Sequence, residues 1–133
     1  MQNNYLHSEV TEKIIRCFFK VYNRLGYGFL EKVYENALLI ELRKEKLECQ
    51  PQIPVKVYYD ESQVGYYLAD IIVDDLIIIE IKAADGLCEQ HEAQLTNYLK
   101  ATDKEVGILL NFGKKAEFRR KVFSAEYKNH ISS

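Results

Sequence analysis

Asp70 interrupts the apolar stretch Tyr66-Tyr67-Leu68-Ala69 and Ile71-Ile72-Val73, and ten residues later Glu80 and Lys82 interrupt Leu76-Ile77-Ile78-Ile79 and Ile81. Taking an ionised carboxylate out of water is costly unless a partner, hydrogen bonds or a metal compensates it. Oxygen ligands from Asp70 and Glu80, with the main-chain carbonyl of Ile81, select a hard cation, Mg²⁺ or Mn²⁺. Such an ion lowers the pKa of a bound water and stabilises charge developing on a phosphoryl oxygen. Lys82 shares a strand face with Glu80, because strands have a period of two, and would hold the attacking water or the phosphate. The chemistry implied is phosphodiester hydrolysis. The plain alternative is an exposed Glu80/Lys82 pair on an edge strand, with Asp70 capping a turn. The isoleucines on both faces oppose it, and clustered carboxylates with a lysine in apolar surroundings mark function more often than not.

This site carries a geometric condition. A two-residue turn at Asp74-Asp75 pairs Val73 with Leu76 and Asp70 with Ile79, which sends Asp70 and Glu80 to opposite sheet faces. A three-residue loop or a bulge between residues 70 and 80 sets the two acids opposite each other, and bulges are common beside active sites. An odd register is therefore expected.

The elements that must position these residues follow from periodicity. Ile14, Phe18, Val21, Tyr22 and Leu25 predict a helix over 8–25, with Ser8 as N-cap and Gly26 as its stop. A second helix over 30–44 carries Leu30, Val33, Tyr34, Ala37, Leu38 and Leu42, with Glu31 and Glu35 one turn apart beside that stripe. Pro51 and Pro54 force extended backbone into an edge-like strand over 55–59. Strands over 64–73 and 76–83 complete an antiparallel meander, the last aliphatic on both sides as a covered central strand should be. A helix over 89–101, a strand over 106–112 and a final amphipathic helix over 117–127, with Phe118 and Val122 one turn apart, give the order α-α-β-β-β-α-β-α. That order reads as one mixed α/β layer structure.

At 133 residues a single domain spanning 1–133 is expected, able to bury roughly two-thirds of its unfolded surface. Cys17, Cys49 and Cys88 are odd in number and show no zinc or disulfide spacing. The opening residues lack the basic-then-apolar order of a signal peptide, and no stretch approaches about 20 apolar residues, so a soluble cytoplasmic protein without a membrane partner is expected. The net charge of -2 argues against bulk electrostatic grip on nucleic acid. From Lys114 onward, however, six basic residues (Lys114, Lys115, Arg119, Arg120, Lys121, Lys128) face two acids, Glu117 and Glu126. This tail alone reads as a solvated face sooner than as a phosphate track.

Asp70 with Glu80-Ile81-Lys82 resembles the Asp…(Asp/Glu)-x-Lys signature of the PD-(D/E)xK nuclease superfamily. Gly28-Phe29-Leu30-Glu31-Lys32-Val33-Tyr34 is similar to the signature of the GxxExxY proteins within it. The resemblance spans roughly residues 14–113. It implies a restriction-endonuclease-like αβββαβ core, in which a central mixed sheet is flanked by helices. It also implies metal ligation by Asp70 and Glu80, catalysis by Lys82, and a contribution to the metal site from Glu31. Gln94-Leu95-Thr96-Asn97-Tyr98 is similar to the Gln-x-x-x-Tyr motif of RecB-type members, which implies that Gln94 and Tyr98 position substrate. Tyr34 joins that expected set, although an aromatic in a helical stripe more often packs in a core. His91, Gln94 and Tyr98 share one helix face, and His91 reads as a packing histidine. Ala69 stands where the pattern has proline, which leaves the ligand at Asp70 untouched.

The leading expectation is a Mg²⁺- or Mn²⁺-dependent nuclease acting on nucleic acid, with DNA first among the candidates. No recognition module is visible, so affinity is expected to draw on a homodimer or a partner protein. The alternatives are a non-catalytic nucleic-acid- or protein-binding module that retains the nuclease fold, which the intact Glu80-x-Lys82 pair disfavours, and a phosphoesterase acting on small nucleotides.

Overall fold

Residues 77–81 are all buried, which demands apolar cover on both sides of a single strand. In the computed structural model, which describes residues 6–124, that strand is the middle one of five. Two helices, α1 (Ser8–Leu25) and α2 (Glu31–Lys44), lead into strands β1 (Cys49–Tyr59), β2 (Ser62–Val73) and β3 (Ile77–Lys82). Helix α3 (Glu89–Lys100) and strands β4 (Val106–Phe112) and β5 (Ala116–Val122) follow. The strands lie across the sheet in chain order. β3 and β4 run parallel and the other neighbours antiparallel. A parallel pair needs a crossover, and α3 supplies it.

Alternate residues of β3 feed two cores. Ile77, Ile79 and Ile81 pack with Ile71 and Val73 under α1 and α2, against Ile14, Phe18, Leu38 and Leu42. Ile78 packs with Ile72 and Leu109 under α3, against Leu95, Tyr98 and Leu99. The result is a mixed α+β structure with a five-stranded mixed sheet flanked by three helices. The expected αβββαβ core is present as α2-β1-β2-β3-α3-β4, with α1 before it and β5 after it.

Three sequence expectations need correction. The final helix over 117–127 is instead strand β5 as far as Val122, and residues 125–127 lie outside the described part; the element order therefore ends β-β. Phe118 and Val122 are four apart, a spacing that returns to the same face in a strand as well as in a helix. β1 begins at Cys49, six residues earlier than its alternation suggests, because an edge strand tolerates Pro51 and Pro54. α1 is capped by His7 at φ 57° rather than by Ser8, which is its first helical residue. β2 and β3 are joined by the three residues 74–76, a three-residue loop of the kind the geometric condition asks for, since Val73 pairs with Ile77. No described helix is long and apolar enough to cross a membrane.

Candidate active site

The hairpin between β2 and β3 sets the positions of Asp70 and Glu80. Asp74 and Asp75 both adopt left-handed backbone, at φ 52° and 56°, which short polar side chains tolerate best after glycine. The loop is tied back by the Asp74 N–H to the Glu48 carbonyl (2.8 Å) and by the Glu48 N–H to Asp74 Oδ1 (2.8 Å). Its three-residue length pairs Ile71 with Ile79 and Ile72 with Ile78. One step further along the same register, Asp70 stands opposite Glu80, as the geometric condition requires.

Side chains take over from the ladder at that step. The Asp70 N–H donates to Glu80 Oε2 at 3.0 Å, and the Ile81 N–H donates to Asp70 Oδ2 at 2.7 Å. On the other flank, Gln52 at φ 56° interrupts the pairing of β1 with β2 opposite Asp70. The strands exchange faces there. Cys49, Ile71 and Val73 pack under α1 and α2, whereas Ile53, Val55 and Ala69 pack under α3. A local irregularity thus brings a carboxylate out of an otherwise regular apolar sheet.

Electrostatics mark the pair. Glu80 is 4% exposed, and burial, followed by the neighbouring Asp70 charge, pushes its carboxyl from 4.5 up to about 8. The Asp70 N–H and the Lys82 ammonium oppose that shift. Burial also raises Asp70, with Glu35 and Glu31 adding to the rise, while the Ile81 N–H and Lys82 lower it. Lys82 Nζ donates to Gln94 Oε1 at 3.2 Å, which ties the strand to α3. Tyr98, one turn along α3 from Gln94, is buried. Its phenol is pushed up to about 12 by burial and then by Glu80 and Asp70.

The α2 residues divide. Glu31 is exposed at the first position of the helix, and its charge reaches both Asp70 and Glu80. Glu35, one turn on, is 4% exposed and is held by Lys32 Nζ at 3.1 Å and Gln52 Nε2 at 3.0 Å. Sequence reasoning placed both acids beside the stripe but assigned a role only to Glu31. The signal for Glu35 is Gln52, whose partnership depends on the early start of β1. Tyr34 is fully buried and stacked on Phe112 at 4.4 Å. Its hydroxyl donates to the Gly26 carbonyl at 2.6 Å and accepts the Phe29 N–H at 3.1 Å. The expected place of Tyr34 beside substrate is thus corrected: it closes the α1–α2 loop and sets the start of α2, hence Glu31. His91 Nδ1 accepts the Cys88 N–H at 3.3 Å and caps α3. Asn111, fully buried, holds both the N–H and the carbonyl of Ala84 at the exit of β3.

Among the described residues, no three acidic, histidine or cysteine side chains crowd around one point closely enough to enclose an ion by themselves. The donor set is a buried carboxylate, Glu80, and a half-buried one, Asp70, both with raised pKa values, a surplus of negative charge answered by one ammonium. That set fits a hard divalent cation of the kind that takes few protein ligands and keeps waters. The arrangement can hold such an ion against a phosphate and place Lys82 beside it.

Comparison with known proteins bears on the family and the fold. A family model of the PD-(D/E)XK nuclease superfamily matches residues 8–121. Among solved structures, the crystal structure of SSO0001 is similar in fold, with a TM-score of 0.55 at 21% identity over 86% of this chain. The match spans 58% of the length of that protein. No curated protein matches.

Proposed function

Given that the chain belongs to the PD-(D/E)XK nuclease superfamily, we propose that it hydrolyses phosphodiester bonds of a nucleic acid at the Asp70–Glu80–Lys82 site. The observation that carries this reading is the reciprocal bonding at residues 70 and 80. Each carboxylate accepts an N–H of the opposite strand, so two acids and Lys82 converge in a largely dry setting. Asp70, Glu80, the Ile81 carbonyl and Glu31 are the proposed ligands of Mg²⁺ or Mn²⁺. When bound, the cation supplies Lewis-acid stabilisation of the phosphoryl oxygens. Lys82, oriented by Gln94, holds the attacking water and stabilises the charge that builds on phosphorus-bound oxygen. Glu35 and Gln52 hold the flank of Asp70 in place. Gly28, Glu31 and Tyr34 support assignment to the GxxExxY group, with Tyr34 acting through the loop it closes. DNA is the first substrate to test, and a second copy or partner would add grip.

The purified chain, incubated with labelled single- and double-stranded DNA and RNA and with nucleotides in Mg²⁺ or Mn²⁺, is expected to cleave polynucleotide. Lys82→Ala is expected to lose at least about a hundredfold in rate, and Asp70→Asn with Glu80→Gln to lose both cleavage and calorimetric Mg²⁺ binding. Cleavage that persists in every variant would overturn the assignment. Binding without cleavage in either ion would identify a non-catalytic module instead.

A further inference from the structure

A cavity of about 400 Å³ lies between α3 and the β1–β2 hairpin, walled by Val57 and Tyr67 from the hairpin and by Gln90, Gln94, Asn97 and Tyr98 from the helix. We propose that it receives one unpaired nucleobase, stacked on Tyr67 and read by the amides of Gln90 and Asn97. The proposal rests on reading Asp70, Glu80 and Lys82 as the phosphate-cleaving site.

Three observations lead there. The cavity shares a wall with that site: Gln94 lines it while accepting Lys82 Nζ at 3.2 Å, and Tyr98 lines it while feeling the charges of Glu80 and Asp70. A nucleotide whose phosphate meets Lys82 therefore has this cavity within reach of its base. The chemistry of the walls is also selective. Its described lining carries no charged side chain, which disfavours a phosphate and suits a neutral heterocycle that needs a flat apolar face and amide donors and acceptors on its edge. Finally, the aromatic wall is built to stay open. The Tyr67 and Tyr98 rings are tilted at 43° with centroids 5.6 Å apart, so they make a corner rather than a closed stack. Tyr67 remains 47% exposed. Gly65 allows this posture, since a Cβ there would lie 3.3 Å from Tyr67 Cε2 and 3.4 Å from Val57 Cβ.

A base held in a duplex stack cannot enter a walled cavity without being unstacked and unpaired. The cavity thus favours single strands, frayed ends and bulges. Aromatic stacking of this kind tolerates any base, with modest preference added by the amide edge.

The test uses a short single-stranded DNA carrying 2-aminopurine, whose fluorescence is quenched by stacking. It is run in chelator, so that no hydrolysis occurs. The chain has no tryptophan to interfere. Saturable quenching is expected with the parent and with Tyr67→Phe, and about tenfold weaker binding with Tyr67→Ala. A blunt duplex bearing the same base is expected to bind at least about tenfold more weakly than the single strand. Asn97→Leu, which narrows the cavity from the exposed side of α3, should weaken binding without touching the hairpin. Equal affinity of the parent, Tyr67→Ala and Asn97→Leu, or of duplex and single strand, would overturn the proposal. The two readings fail separately. Cleavage that needs Asp70 but ignores Tyr67 and Asn97 removes the base pocket and keeps the nuclease. Quenching that needs Tyr67 without any cleavage in Mg²⁺ or Mn²⁺ does the reverse.

Discussion

A carboxylate that is 4% exposed and faces a second carboxylate opposes folding whenever it is ionised. Glu80 in the unfolded chain titrates near 4.5 and in the folded chain at about 8. Between those values the folded state holds a proton that the unfolded state has released. The group's stabilising contribution is therefore complete below about pH 4.5 and is lost as pH rises through about 8. Asp70, also raised by burial, acts in the same direction. Glu92, bonded to Lys121 and held below its ordinary value, acts oppositely, but in more acid solution. In chelator, the melting temperature is expected to fall between pH 5 and pH 8, and Glu80→Gln is expected to flatten most of that slope. Saturating Mg²⁺ should flatten it too, because metal binding selects the deprotonated carboxylates. Thermal melts across that pH range check this, and an unchanged slope in Glu80→Gln would refute it. Glu80 was legible in the sequence because its neighbours are isoleucines, so its burial follows from theirs. Glu35 was not, because Glu31 and Glu35 occupy equivalent places beside one helical stripe and only Gln52, from a distant strand, separates them.

At the scale of elements, legibility tracked the length and purity of each apolar pattern. α1, α3 and β4 fell within a residue or so of their expected bounds, and the odd register of β2 on β3 followed from asking where two charges could meet. β5 was misread because it is a charged edge strand in which no residue is fully buried and exposure does not alternate, a pattern that protects an edge from pairing and mimics a polar helix. The loop between α1 and α2 makes a further point about motifs. Gly26 and Gly28 have φ of 69° and 111°, Glu31 opens α2, and the Tyr34 hydroxyl bonds back to Gly26 and Phe29. The sequence motif is thus a device for fixing a helix start, with its tyrosine inside and its acid outside. Tyr34→Phe leaves the ring stacked on Phe112 but removes the hydroxyl that joins two part-buried main-chain groups, the Gly26 carbonyl and the Phe29 N–H, and it is expected to cost about 1–3 kcal/mol in denaturant unfolding. If Glu31 supports the metal site, the same variant should weaken calorimetric Mg²⁺ binding by about tenfold. An unchanged affinity would confine Tyr34 to stability.

At the scale of the whole molecule, charge decides how nucleic acid can be held. The six basic residues from Lys114 onward read as a solvated face sooner than as a phosphate track, and Lys121 bonds Glu92, Arg119 lies near Glu92 and Glu117, and Arg120 donates to the Leu6 carbonyl. Lys128 is outside the described residues. Lys114 and Lys115 are left exposed just after β4, at the end of the sheet where Lys82 pairs with Asn111. About three cations, Lys82, Lys114 and Lys115, therefore lie at one end of the sheet, against a net charge of -2 for the chain. For a single strand each neutralised phosphate contributes about -0.7 to the slope of log affinity against log salt, so the expected slope is near -2. Affinity should then fall only about 16-fold as salt rises from 50 to 200 mM, against about 4000-fold for a slope of -6, because stacking, unlike counterion release, is nearly indifferent to salt. Titration of a labelled single strand in Ca²⁺ over a salt series measures this slope. A value near -6 would mean that the basic strand breaks its internal ion pairs to grip the backbone, and that recognition rests on phosphates rather than on a base.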